Sequence, residues 1–230
     1  MLKIKIHTIL VLLFTCFFTV ESTGQEINQF DKNQQRTGVW KKYYPNNQLR
    51  YSGQFLHGKE VGVFQFYDEN APRHPVIVKK YKENAAIAAV SFYTVAGVLR
   101  SKGAMLQKKR IGRWLYFFSD GSLLSEENYV AGKKEGVQVN YFKNGQVTSK
   151  VAFKNNVKEG LSEIYSDQGV LIESVRYANG VLNGAASYYD LKGSLKERGV
   201  YANGSRQGKW QYYLNGALVS KKKVAKSAKI

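Results

Sequence analysis

Cysteine is nearly missing from this chain: its 230 residues hold one, Cys16, inside an apolar N-terminal stretch. Once that stretch is removed, no disulfide, thiol nucleophile or cysteine metal site can form, and stability must come from packing. Histidine is scarce as well, at His7, His57 and His74. Neither an H-E-x-x-H pair nor a cysteine pair is present to bind zinc. The phosphate-cradling patterns G-x-x-x-x-G-K-[ST] and G-x-G-x-x-G are absent too. Adjacent carboxylates such as Glu126 and Glu127 project to opposite faces of a strand, which does not suit general acid/base partnership. Two loop histidines give no footing for a catalytic triad. These absences argue for no enzyme, with no catalytic residue, no cofactor and no metal.

Long apolar runs are lacking. The longest, Ile9 to Val20, spans only a dozen mostly apolar residues, short of the roughly 20 that a spanning helix requires. Lys3 and Lys5 precede it, and Ser22 and Gly24 follow as small residues before Gln25. Residues 1–24 therefore read as a secretory signal peptide, cut before Gln25. Leu13-Phe14-Thr15-Cys16 lacks the small residue that a lipoprotein box places before its cysteine. The expectation is export, to a periplasmic or extracellular and envelope-associated location.

Acidic residues are few. Against 35 Lys and Arg there are 17 Asp and Glu, a net charge of +18 with a pI near 9.8. Such an excess suits nucleic acid, an anionic membrane surface or an acidic polymer, and export disfavours the first. Part of it lies in the last ten residues, five of them lysine: Lys221, Lys222, Lys223, Lys226 and Lys229.

What the chain does contain is a repeat. Gly112-Arg113-Trp114-Leu115-Tyr116-Phe117-Phe118-Ser119-Asp120-Gly121-Ser122-Leu123 recurs in whole or part, with opening positions at Gly38, Gly62, Ala88, Gly112, Gly136, Gly160, Gly184 and Gly208. The step is 24 residues throughout, except for one of 26. Five residues after each opening stands an aromatic: Tyr43, Tyr67, Tyr93, Phe117, Tyr141, Tyr165, Tyr189 and Tyr213. A fixed short period over most of a chain signals a repeat architecture.

Within a copy the residues alternate as in a strand. Val137, Val139 and Tyr141 share one face, Gln138, Asn140 and Phe142 the other, and Lys143-Asn144-Gly145 makes a turn. The return strand begins near Leu49, Leu99, Leu123, Val147, Leu171 or Leu195, and a second reversal is marked by Gly58, Gly132, Asn156, Gly180 and Gly204. Each unit is two strands and two turns. An isolated hairpin is marginal in water, so copies must stack to persist. The expected fold is all-β: an elongated, single-layer, twisted antiparallel array of about eight hairpin repeats over 38–220. A lead-in over 25–37 precedes it, with Ile27 and Phe30 as a short capping strand, and a basic tail over 221–230 follows. The 26-residue step places Asp68-Glu69-Asn70-Ala71-Pro72-Arg73-His74-Pro75 in a longer loop bulging from the array.

Gly-Lys-Trp-Gln-Tyr-Tyr at 208–213, Gly-Val-Trp-Lys-Lys-Tyr-Tyr at 38–44 and Tyr-Ala-Asn-Gly at 177–180 and 201–204 resemble the MORN repeat, in its bacterial variant form. The resemblance implies an extended hairpin array acting as a binding or scaffolding module, and an antitoxin-like role that export weighs against. The chain departs from the pattern at Ala88, which replaces an opening glycine, and at Gln138, Ser162 and Ala186, which replace the tryptophan.

By parity, the eight-aromatic ladder lies on one face and Trp40, Phe64, Trp114 and Trp210 on the other. The ladder is expected to be core packing. The tryptophan face, flanked by Lys41, Arg113 and Lys209, is the candidate binding surface, able to stack on sugars or bases or to sit at lipid headgroups. The partner expected is a protein or an anionic envelope component, lipid headgroup or polysaccharide. An immunity protein that masks a toxin and a membrane-surface adaptor are the rival readings.

Overall fold

A computed structural model of the chain describes residues 26–82 and 86–221. The signal peptide expected at 1–24 and the basic tail beyond Lys221 lie outside the described residues.

Every named element is a strand, and the strands form one open antiparallel sheet of 18. The outgoing strands of the eight repeats are Arg36–Tyr43, Lys59–Asp68, Ile87–Tyr93, Lys109–Phe117, Gly136–Tyr141, Val157–Tyr165, Val181–Tyr189 and Ser205–Leu214. Their return strands are Leu49–Leu56, Ala71–Tyr81, Leu99–Leu106, Leu123–Val130, Val147–Lys154, Leu171–Ala178, Leu195–Ala202 and Ala217–Val219. Each strand pairs with its sequence neighbours, as in Trp114 opposite Glu127 and Ser162 opposite Val175. Two-residue strands at Gln29–Phe30 and Lys133–Lys134 complete the set. The first caps the array as expected: Gln29 and Phe30 pair with Thr37 and Arg36, Ile27 bridges Val39, and the Phe30 ring meets Trp40 edge-on at 5.2 Å.

The two reversals differ in kind. At the second, both central residues are left-handed, as in Asn179 (φ 48°) and Gly180 (φ 84°) or Asn155 (φ 51°) and Asn156 (φ 73°). These are the tight two-residue hairpins that favour Asn-Gly. At the first, the loop is longer: the Phe142 amide donates to Gln146 O at 2.8 Å, Gly145 N to Phe142 O at 2.9 Å, and only Gly145 is left-handed. Asn144 there accepts the Gln146 amide through Oδ1 at 3.0 Å, a side-chain mimic of a backbone turn.

The expected loop at 68–75 is corrected by the register. Asp68 faces Ala71 while Tyr67 faces Pro75, so only Glu69 and Asn70 turn the chain, and Pro72, Arg73 and His74 form a bulge inside the return strand. A bulge suits this segment because its residues have no partners in the ladder, and proline has no amide hydrogen to donate.

The larger correction concerns which face is core. Trp114 is 0% exposed and Phe64 1%, with Phe55, Val90, Tyr129 and Val175 also buried on their side of the sheet. The aromatic ladder lies on the more open side, where Tyr43 is 48% exposed and the other seven rings are partly so. Strand parity separates the two sets correctly, but burial falls on the tryptophan side.

Candidate binding surface

A single-layer sheet can bury an indole completely because two other groups enclose it. Beneath three of the four large rings lies a glycine of the preceding strand: Gly53 under Phe64, Gly103 under Trp114 and Gly199 under Trp210, so close that a Cβ there would stand 2.3 to 2.4 Å from ring carbons. The ladder skips these glycines, with register shifts between Ser52 and Gln54, Lys102 and Ala104, and Arg198 and Val200, so bulges set the backbone beneath the rings. Above each tryptophan lies a cation from two residues before the opening glycine. The Arg36 guanidinium is 4.8 Å from the Trp40 ring, Arg110 4.7 Å from Trp114 and Arg206 3.9 Å from Trp210. Lys134 and Lys158 cover Phe153 and Tyr177 in the same way at 5.3 and 4.8 Å. The charged head itself lies over the ring face, where the ring's quadrupole attracts it.

Where the tryptophan is replaced, the partner beneath changes with it. Ser162 pairs with Val151 and Ala186 with Val175: a small residue sits over a larger one. Gln138 falls where the glycine position is Glu127, and Lys134 Nζ donates to both, at 3.0 and 2.6 Å. Glu127 is 8% exposed and also accepts from the Tyr129 hydroxyl. Burial alone would raise its carboxyl, but hydrogen bonds from Lys134, Tyr129 and Tyr116, with the lysine charge, outweigh burial and hold it below the ordinary range. Arg110 adds donors to the Tyr116 hydroxyl at 2.9 Å and the Tyr129 hydroxyl at 3.2 Å. The middle of the array is thus a polar network set into an aromatic core.

The expected candidate surface is therefore divided by the structure. Phe64 and Trp114 are enclosed and present no ring to a ligand. Trp40 and Trp210 are partly exposed, but each is covered by its arginine, and the Trp40 indole N–H donates to Thr37 O at 3.1 Å and Gln29 O at 3.2 Å. Lys41, Arg113 and Lys209 are not brought to these rings. They occupy adjacent strand positions and project to the opposite face, where Arg113 pairs with Glu126 at 2.7 Å.

That opposite face carries the ladder. Its rings are held by same-face acceptors: the Tyr67 hydroxyl donates to Gln65 Oε1 at 3.4 Å, Tyr165 to Glu163 Oε2 at 2.8 Å, Tyr213 to Gln211 Oε1 at 3.1 Å and Tyr141 to Glu126 Oε1 at 3.2 Å. Burial and the Glu163 carboxylate push the Tyr165 hydroxyl up to about 12. Cations lie over three of the rungs: Lys102 is 5.5 Å from the Phe117 ring, Lys150 5.6 Å from Tyr165 and Arg198 5.8 Å from Tyr213. Val63, Leu124, Val137, Leu161 and Val200 are exposed on this side. Exposed apolar side chains and cations thus share this face.

On the core side an open groove of about 530 Å³ runs past Ile164, Glu173, Tyr188, Glu197 and Tyr212, and burial raises the Glu173 carboxyl. Glu197 there is engaged by Arg206 through two hydrogen bonds, at 2.8 and 3.1 Å. Among the described residues no group of three or more His, Cys, Asp or Glu side chains is placed to hold a metal ion, and no helix is long and apolar enough to cross a membrane.

A search of curated proteins finds no match to the chain. The family model described as MORN repeat variant matches residues 36–57, 110–131 and 134–155. Each match opens on the cation that covers a core ring, Arg36, Arg110 or Lys134, and closes at the left-handed residue of the second reversal, His57, Ala131 or Asn155. Over these three stretches the chain is similar to the MORN repeat variant.

Proposed function

We propose that this chain is a non-catalytic binding module that works outside the cytoplasm and presents its ladder face to an anionic component of the cell envelope. The observation that carries the reading is the unequal use of charge on the two faces. On the core side Arg36, Arg110, Lys134, Lys158 and Arg206 lie against aromatic rings. On the ladder side Lys102, Lys150 and Arg198 stand farther off, 5.5 to 5.8 Å over partly exposed rings on a face that also carries exposed aliphatic side chains. An amphipathic, basic and regularly spaced face is an adhesive one. The export signal read in residues 1–24 supports the location.

The test is co-sedimentation of the purified protein with cell-envelope fractions over a range of salt. Binding should weaken steeply as salt rises. It should fall in a Lys102→Gln/Lys150→Gln/Arg198→Gln variant and persist in Lys158→Gln. Binding that ignores both salt and the triple substitution would sink the reading.

A further inference from the structure

Taking that reading as its base, we propose that the occupant of the ladder face is an acidic, β-linked polysaccharide built of disaccharide units, laid across the aromatic rungs. The ladder supplies one ring per repeat, and a repeat is two strands. With strands about 4.8 Å apart, successive rungs recur at about 10 Å, close to the length of one disaccharide in an extended β-1,4-linked chain. Each sugar has a face of C–H bonds that stacks on an aromatic plane. Disaccharide periodicity would bring the same sugar face onto each successive ring.

The furnishing of the rungs fits an acidic sugar. Phe117, Tyr141 and Tyr165 come from three consecutive copies, with the Lys102 and Lys150 ammonium groups 5.5 and 5.6 Å over the outer two rings. The acidic side chains nearby are already engaged: Glu126 by Arg113 and the Tyr141 hydroxyl, Glu163 by the Tyr165 hydroxyl. Those bonds fix the rings before any ligand arrives, which reduces the ordering cost of binding. A protein partner has no reason to repeat with this period, and a flat lipid surface cannot follow a twisting row.

Twist also sets the reach. Neighbouring strands rotate by about 20–25°, so a straight oligomer meets about three rungs before the face turns away. Affinity should rise with oligomer length and then level off.

The experiment is calorimetric titration of the purified chain with size-defined β-1,4-linked oligomannuronates, from disaccharide to dodecasaccharide. Neutral β-1,4-glucan oligomers, dextran sulfate and phosphatidylglycerol vesicles serve as comparison ligands. Affinity should climb to about the hexasaccharide and stay flat beyond it. The neutral oligomers should bind more weakly. Tyr141→Ser with Tyr165→Ser should weaken binding about ten-fold, while Tyr141→Phe with Tyr165→Phe should retain it. If the serine variant does not fold, Lys102→Gln with Lys150→Gln leaves the rings in place and should still reduce affinity for the acidic oligomers.

Dextran sulfate binding as tightly as the hexasaccharide, with no loss on removing the rings, would overturn the proposal in favour of bare charge attraction. Vesicle binding without oligosaccharide binding would overturn the sugar assignment and leave the envelope-binding reading standing. Binding to none of these ligands or to envelope fractions would end both.

Discussion

The indole of Trp114 lies on the backbone of Gly103, eleven residues earlier on the neighbouring strand, with its Cδ2 only 2.4 Å from where a Cβ would be. Gly103 has no left-handed backbone angle, so its identity is dictated by the ring above it. Gly103→Ala should therefore destabilise the protein by about 1–3 kcal/mol, the usual cost of overpacking, read as a shift in urea midpoint at constant slope. The sites are coupled. With Trp114→Ala in place, Gly103→Ala should cost much less, and a double-mutant cycle should show that non-additivity.

The same logic predicts that tryptophan cannot simply be restored where the repeat has lost it. Ala186 is 2% exposed and sits over Val175, itself 1% exposed. Ala186→Trp alone should lower stability or prevent folding. Combined with Val175→Gly it should be tolerated, because the pair then matches the arrangement at Trp210 and Gly199. Thermal denaturation of the two variants distinguishes the outcomes.

Arg110 is the lid of the same core. Its guanidinium lies 4.7 Å from the Trp114 ring and donates to Tyr116 and Tyr129. Arg110→Ala should cost about 1–3 kcal/mol and open Trp114 to solvent, seen as a red-shifted emission with faster acrylamide quenching. Lysine should restore little, since an ammonium cannot cover the ring and reach both hydroxyls in one plane.

How much of this was legible beforehand divides cleanly. The period, the alternation and the turn residues are local, so strands at Val147–Lys154 or Leu171–Ala178 could be read from the chain. Parity placed Trp114 and Phe117 on opposite faces, but parity does not say which face is covered. The deciding signals were in the sequence but non-local: a glycine eleven positions before Phe64, Trp114 and Trp210, at Gly53, Gly103 and Gly199, and an arginine four before each tryptophan, at Arg36, Arg110 and Arg206. Neither follows from strand propensity, because both arise from contacts across and above the sheet. The Pro72 to Pro75 segment misled for a related reason. Proline argues against a regular ladder, and the strand keeps its register past that segment by bulging.

Glu127 makes the fold sensitive to acid. Its folded carboxyl titrates below the ordinary value of 4.5, so in the unfolded chain it takes up a proton at higher pH than in the folded one. Its contribution is complete above that ordinary value and is lost as pH falls through the lower folded value. The denaturation midpoint should decline below about pH 4.5, and Glu127→Gln should flatten that decline. At neutral pH the same substitution should cost about 1–3 kcal/mol, because Lys134 loses its charged partner.

The opening glycines test whether repeat consensus equals stability. Gly112 has φ 61° with open space around its Cβ direction, so alanine there meets backbone strain and no clash, at a cost of about 1–2 kcal/mol. Ala88 occupies the equivalent position, yet it is not left-handed and pairs in unbroken register with Tyr81 and Met105. That copy runs straight where the others bend, and Ala88 is buried at 2% exposure. Restoring the consensus glycine at position 88 should therefore destabilise by about 0.5–1 kcal/mol, through added backbone freedom and lost packing. If Ala88→Gly instead raised the melting temperature, the straight strand at that copy would be a frustrated bulge, and the register described for it would be wrong.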